Sequence, residues 1–527
     1  MKTLRKARML LGLLTVAIGC AVSLAAAAEP QPQQVLTLHA RSRVKDPPGA
    51  QDFRIKYQAV RWDAGKTAII VCDMWDKHWC AASAARVAEM APRMNELISA
   101  ARKQGVLIIH APSETMNYYL DTPQRKLAQQ APKAEPTVPL RGWCRLDPDR
   151  ESPLPIDDSD PCDSPGGTRH KAWSRQIDTL KIEPGDAVSD RVAEIYNLFQ
   201  QRGIENVIIM GVHTNVCVLC RPFGIRQMVY QGKNIVLVRD LTDTMYNPEC
   251  APRVSHFRGT EMVVEHIEKF WCPTITRSDV LGAAAFRFPG DRRPHIVFLV
   301  SEDEYQADDS LSAFAQLLQD RFDYYCTMVL GHSKEDLSGV EALRTADAAV
   351  LFIRRRAFPQ EQLDVLRNYL DSGKPLVALR TASHAFSVKG KTPAGLAQWP
   401  TFDRDVLGCE YHNHAANALG TDVKFLAEAA DHPILAGVQP LKWHSPGSLY
   451  QSKLLDEQAK LLATGSAGNL SEPIAWTRSY HGARVFYTSL GHRDDFAQPQ
   501  FQSLLINAIH WAMDRPLPKP AADRRQK

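Results

Sequence analysis

The chain carries little charge of one sign, few cysteines for its length and no long basic run. A net charge of +4 on 527 residues is a small surplus. No basic stretch interleaved with aromatics appears, so nucleic acid is not an expected partner. The 11 cysteines are too few per length for a disulfide-built scaffold. No Cys-x-x-Cys pair with further Cys or His beside it offers the four ligands of structural zinc. Internal repeats and low-complexity tracts are also missing. What remains is ordinary globular composition, 44% hydrophobic and 23% charged. At this length one core is not enough, and two or more domains are expected.

The N-terminus reads as a targeting segment. Lys2, Arg5, Lys6 and Arg8 precede the apolar run 9–28, and small residues lead up to Ala28. This pattern predicts an export signal at 1–28 that is cleaved before Glu29, leaving no stable membrane span. Cys20 follows Ala-Ile-Gly and lacks the leucine three residues ahead that a lipobox needs, so lipoprotein anchoring is the lesser alternative. The expected location is periplasmic or secreted. There a bridge between Cys144 and Cys162 would close the loop 145–161, which is rich in Pro, Asp and Ser.

After a polar segment at 29–59, residues 60–282 alternate apolar strands (67–72, 106–111, 205–211, 234–239) with helical patterns near 83–104, 190–202, 216–231 and 257–269. That rhythm predicts an α/β domain with a parallel sheet. Residues 120–183 are irregular and placed to cover or shape a site. The Gly, Pro and charge content of 283–294 reads as a linker. A second α/β series spans 295–515, with strands at 295–300, 324–330, 347–352, 375–380 and 484–489 and helices at 309–320, 359–372 and 499–513. The fold class is therefore α/β, two doubly wound and mostly parallel sheets, followed by a disordered tail at 516–527.

Within the first half, 205–228 reads as an apolar strand, a short polar turn, then Cys217 where a helix should begin. A thiol at a helix N-terminus meets partial positive charge and unpaired N–H groups, which favour thiolate and could hold an oxyanion. A buried structural cysteine is the bland alternative. The run 66–80 ends its apolar part at Asp73, at the strand edge where α/β enzymes place ligands. Aspartate there is also a common helix cap. Paired with a nucleophile it could take a proton and return it to a leaving amine. Cys217 and Cys220 have the spacing of a redox pair, so thiol–disulfide exchange stays open.

Gly211, Thr214, Cys217 and Val218 match a Gly-x-x-Thr-x-x-Cys-Val signature, with Gly232 and the strand 234–240 following. On these residues the first half resembles the isochorismatase-like cysteine hydrolases, which include nicotinamidases and N-carbamoyl amidohydrolases. The resemblance implies an Asp–Lys–Cys set with Asp73 as acid/base and Cys217 as nucleophile. It also implies oxyanion donors at the Val216 and Cys217 N–H groups and a cis peptide at Val212–His213. The stretch 184–199, where the lysine should follow, offers Asp190 and Arg191 and no lysine. Lys171 is the nearest substitute, with Lys181 behind it, and each also reads as a solvated lysine. Trp75, Trp79, His213, Thr214, Asn215 and Val216 are candidate substrate contacts, with core packing or turn formation as the plainer account. Arg221 would suit an acidic substrate or product. No cofactor is expected for the hydrolase. The family's Asp-x-His metal motif is missing from 110–116, and although Asp76 and His78 have its spacing they follow the first strand. No metal is assigned, and nicotinamide becomes a less favoured substrate.

The segments 378–386, 447–451, 474–492 and 499–512 make the second half resemble the trehalose-utilisation (ThuA-like) family, a relative of the class I glutamine amidotransferase fold. The resemblance covers about 290–515 and implies a flavodoxin-like sheet with a sugar-related role and a carbohydrate ligand. Amidotransferases of that fold hold a cysteine at a sharp turn after a strand. Here the strand 375–380 leads into Thr381, Ala382, Ser383 and His384 with no thiol, which argues against glutaminase chemistry. His384, His412, His414, His444 and His492 mark a candidate pocket, and imidazole's liking for transition metals leaves a metal there open.

Two readings follow. In the first, an exported two-domain protein hydrolyses a C–N bond of a small amide or carbamoyl compound, using Cys217, Asp73 and Lys171. In the second, both halves bind carbohydrates or metabolites without turnover. The first resemblance also implies self-association into a homo-oligomer.

Overall fold

The computed structural model describes residues 34–517. The export signal expected at 1–28 and all but the first residues of the tail expected at 516–527 lie outside the described residues. No helix among them is long and apolar enough to cross a membrane.

The first sheet is built from β1 (Val35–Lys45), β2 (Phe53–Asp63), β3 (Thr67–Cys72), β4 (Leu107–Ala111), β5 (Ala187–Val188), β6 (Asn206–Val212), β7 (Asn234–Asp243) and β8 (Thr274–Ile275). Its spatial order is β2-β1-β8-β7-β6-β3-β4-β5, parallel except where the β1–β2 hairpin joins. Strands β3 and β6 are buried throughout, and apolar after their first residues, because helices cover both faces. Ile70, Ile209 and Leu237 face one layer with α3 (Val192–Arg202), α4 (Ile225–Tyr230) and α5 (His256–Phe270). Ile69, Val71 and Met210 face α1 (Ala81–Lys103) on the other. The short α2 (Pro123–Gln129) and α6 (Ser278–Leu281) complete this half.

The second sheet contains β9 (His295–Ser301), β10 (Tyr325–Leu330), β11 (Ala348–Ile353), β12 (Leu376–Leu379) and β19 (Ala483–Thr488), mutually parallel. It carries α7 (Ala307–Phe322), α8 (Gln360–Asp371) and α9 (Pro499–Ala512). Four antiparallel strands extend it beyond β19: β18 (Leu470–Tyr480), β17 (Lys460–Ala467), β14 (Thr421–Phe425) and β15 (Lys442–Ser445). A separate ribbon pairs β13 (Cys409–His414) with β16 (Tyr450–Leu454). Both halves are thus α/β with mostly parallel central strands, as expected.

The differences from the sequence reading have physical causes. The stretch 35–59, polar by composition, supplies β1 and most of β2. Its alternation buries Leu36, Leu38 and Ala40, while Arg41 and Arg43 are neutralised by one carboxylate, Glu268, through Nε contacts of 2.8 and 3.0 Å. The helix expected over 216–231 is broken: a π-turn at Thr214–Val218 is followed by Arg221-Pro222-Phe223-Gly224, and α4 starts only at Ile225. Pro222 has no N–H to continue a helix. Residues 283–294 do not hang free. Phe286 N–H donates to Asp240 at 2.7 Å, and Arg293 pairs with Glu261 and Asp291.

Candidate functional site

The register of the central strands brings the two reactive residues together. Cys72, the last residue of β3, lies opposite Gly211 of β6, so Asp73 and the turn after β6 emerge side by side at the C-terminal edge. Gly211 makes the close approach feasible: at φ +119 a Cβ there would lie 2.1 Å from the Cys72 carbonyl oxygen. The peptide Val212–His213 is cis, at the position the resemblance implied. Cys217 follows in the π-turn, 5% exposed, and Asp73 is fully buried.

Asp73 is held by two donors. Its Oδ1 accepts the Ser113 N–H at 2.7 Å and its Oδ2 accepts Arg221 Nε at 2.9 Å, and the Cys217 thiol lies close enough for the two groups to shift each other's titration. Burial pushes the Asp73 carboxyl up, against the opposing pull of Arg221, Cys217 and Ser113. Burial also lifts the Cys217 thiol well above its ordinary value, and the Asp73 charge adds to the rise. Arg221 and the His213 backbone oppose that rise without cancelling it. The turn's partial positive charge therefore does not leave a resting thiolate, contrary to the expectation from the helix start alone. The resting pair is a protonated thiol beside a buried carboxylate.

The cation beside Asp73 is Arg221, not Lys171. Lys171 is exposed and gives its ammonium to the Glu114 carbonyl at 2.7 Å, while Lys181 donates to the Asp178 carbonyl. Arg221 stands one helical turn beyond Cys217, and Pro222 fixes the backbone behind it. Its other end lies 3.6 Å from Glu114 and 5.5 Å from the Trp143 ring.

Trp75 stacks on Trp173 with ring centroids 4.2 Å apart and donates its indole N–H to the Ser113 carbonyl, so it walls the site through the residue that holds Asp73. The remaining candidates mainly build the turn. Asn215 is fully engaged by Asp158 and by both backbone groups of Met245. Thr214 bonds Thr242, which bonds the Gly211 carbonyl. His213 bonds Ser83 at 2.5 Å, and burial keeps its imidazole neutral. The Val216 N–H is spent on the His213 carbonyl at 3.0 Å. Trp79 lies beside His78 and Arg169 rather than Asp73.

Ser113, Trp173 and the pairing of Arg221 with Asp73 were not anticipated from the sequence. Arg221 alone had a legible signal, its four-residue spacing from Cys217. Two buried donors near Asp73, the Ser113 hydroxyl and the Trp173 indole N–H, have no partner. The irregular 120–183 region supplies Trp173 and Lys171, and its Cys144 N–H bonds the Cys220 carbonyl at 2.8 Å. All described cysteines are free. Cys144 lies against Gln227, and Cys162 lies against Cys80, so the expected Cys144–Cys162 bridge is not formed.

In the second half the candidate histidines separate. His384 is buried against Tyr411, with centroids 4.5 Å apart, and lies 5.8 Å from Tyr450. His414 and His492 approach the same group through Tyr450 and Tyr305. His412 and His444 are exposed, beside Glu410 and Asp422. Among the described residues no group of three or more His, Cys, Asp or Glu side chains is placed to hold a metal.

Residues 297–512 match the family model ThuA, described as trehalose utilisation. Solved structures similar to parts of the chain include a putative ThuA-like protein from Bacteroides uniformis (16% identity, 43% of this chain and 95% of that one, TM-score 0.33). A cysteine hydrolase from Pseudomonas syringae pv. phaseolicola is 19% identical over 42% of this chain and 94% of its own, with a TM-score of 0.27. An isochorismatase family protein from Burkholderia thailandensis is 15% identical over 41% and 94%, with a TM-score of 0.25. No curated protein matches the chain.

Proposed function

We propose that this chain, ThuA-like over residues 297–512, is through its first half a cysteine hydrolase of C–N bonds in a small amide or carbamoyl compound. The observation that carries the reading is the buried Asp73 carboxylate, bonded to Arg221 and set by the strand register beside the turn that holds Cys217. In the free enzyme the thiol is protonated, so attack and proton transfer go together. The sulfur bonds to the carbonyl carbon as Asp73 accepts the thiol proton, and the Cys217 N–H takes the oxyanion. Asp73 then returns that proton to the leaving nitrogen, and ammonia or an amine departs from an acyl-enzyme. A water gives its proton to Asp73 as it attacks the acyl carbon, the acid leaves, and Cys217 recovers its proton. Arg221 keeps the carboxylate charged in a dry site and fills the role otherwise given to lysine.

A second reading, binding without turnover, is favoured by one observation: Asp73 and Cys217 are almost wholly covered. Substrate entry then requires the 112–190 region to move aside. Thiol–disulfide exchange has less support, because the Cys220 sulfur accepts Arg226 at 3.0 Å while Cys217 faces Asp73. The signal-like 1–28 segment supports export to the periplasm or beyond.

Ammonia release from a panel of amides, ureas and carbamoyl compounds tests the proposal. Release by the native chain that disappears in Cys217→Ala and Asp73→Asn is expected. Binding of a panel compound with no release, unchanged in Cys217→Ala, would establish the second reading instead.

A further inference from the structure

The C-terminal edge of the second sheet holds a buried cation with no carboxylate in direct contact. Arg380 follows β12 at φ +44 and is 1% exposed. Among the described residues no carboxylate lies within 4.0 Å of its guanidinium. Its partners are neutral: the Ser489 carbonyl at 2.9 Å, and the Tyr305 and Ser448 hydroxyls, both at 3.4 Å. Its Nε has no partner. The guanidinium sits 4.3 Å from the Tyr305 ring centroid and 4.8 Å from that of Tyr450. Space for it is made by Gly447, where a Cβ would come within 2.8 Å of Nη1. Burying a charge is costly unless it is paired. A fold that makes room for an arginine and gives it only neutral partners leaves a place for an anion.

The surroundings agree. Parallel strands of this sheet converge here, where open α/β sheets bind ligands. Arg354, Arg355 and Arg356 follow β11, His384 follows Arg380, and His492 follows β19. The β13–β16 ribbon brings Tyr411 and Tyr450 over the same edge. Arg355 is a second strained residue, at φ +48, and its guanidinium makes one long bond, to the Ser387 carbonyl at 3.4 Å. Of the acids nearby, Asp303 and Glu304 flank Arg354, while buried Asp495 accepts the Gly491 and His492 N–H groups on Oδ2, leaves Oδ1 unpartnered and acts on Arg380 only from beyond contact distance. Strained non-glycine residues gather at functional sites.

We propose that this edge binds a small organic molecule through a carboxylate or phosphate group, with Arg380 as the buried anchor, Arg355 at the mouth and Tyr411 and Tyr450 against the body of the ligand. The site is independent of Cys217, so its failure and that of the hydrolase reading are separable. The test is calorimetric titration of the full chain with glucuronate, inorganic phosphate and neutral glucose at matched ionic strength. Saturable binding of glucuronate or phosphate, but not of glucose, is expected. Glucuronate alone would identify a carboxylate site and phosphate alone a phosphoryl site. Arg380→Met and Arg355→Ala should each weaken binding at least tenfold, while Arg93→Ala, on an exposed face of α1, should not. Should Arg380→Met misfold, Arg355→Ala decides, because that side chain is only half-buried. No saturable binding of either anion, or binding that survives both substitutions, would overturn the proposal.

Discussion

Asp73 serves a thiol and a guanidinium with one carboxylate, and its behaviour depends on Arg221. Burial already pushes the acid up, and Arg221 is the strongest opposing influence. Without the arginine the Asp73 carboxyl is pushed up further and stays protonated to higher pH, where it cannot accept the thiol proton. Arg221→Met should therefore lower turnover by about 10²- to 10⁴-fold, the usual worth of a positioned acid/base. Arg221→Lys should recover part of it, since charge returns without the fork geometry. The stability of Arg221→Met has a definite sign with pH. A carboxyl whose folded pKa lies above its unfolded value holds an extra proton when folded, so the variant's deficit should grow as pH rises from 4 to 8. Urea unfolding at several pH values checks this, and a deficit that shrinks with rising pH would contradict it. Cys217 and Asp73 were legible in the sequence because both sit in local text, a strand followed by a turn. Arg221 was visible but read as substrate-facing, because which loop delivers a cation over a sheet edge is a tertiary fact. Ser113 and Trp173 left no such trace: one acts through its backbone and the other lies in an irregular region.

Among the elements, the irregular 120–183 stretch is held by an acid rather than by secondary structure. Glu151 is buried and accepts the Trp271 indole N–H at 2.7 Å and the His266 ring at 2.8 Å, while Arg226 pairs with it at 2.7 Å. Burial pushes its carboxyl up, but the hydrogen bonds from His266, Arg226 and Trp271 outweigh that and bring it down to about 2. A depressed carboxyl stabilises above its unfolded pKa and loses that contribution as pH falls toward about 2. Glu151→Gln should cost about 3 kcal/mol at neutral pH and lose most of its effect by pH 2, as read from acid unfolding curves. An equal deficit at both ends would mean packing, not charge, holds the stretch. The elements that sequence periodicity recovered are the parallel strands and long helices, whose apolar faces repeat regularly. Those it missed, β1, β2 and β13–β18, alternate polar and apolar residues or pair antiparallel at an edge. Most of them pair with a strand that is near in sequence, but their half-exposed faces leave no long apolar run to read.

Across the molecule, the two sheets are joined by charged groups drawn from both halves. Arg43 reaches Gln316 at 2.6 Å, Lys56 reaches Asp309 at 2.8 Å, and Arg258 binds both Glu265 and Asp320 at 2.7 Å. The Arg258–Asp320 pair is largely covered and expensive to break from one side, so neither half should unfold alone. Calorimetry of the native chain should show one cooperative transition; two well-separated ones would show the halves to be thermally independent.

The β1–β2 hairpin also has a history in time. Arg41 is made 227 residues before Glu268, the acid that neutralises it. At about 5–20 residues per second, roughly ten to forty-five seconds of synthesis separate the two. During that interval the hairpin has only its own long antiparallel ladder, from Val35↔Asp63 to Lys45↔Phe53, to keep its edges from other chains. The same arginines that the finished sheet must neutralise are charges of the kind that discourage an open strand edge from pairing with another chain.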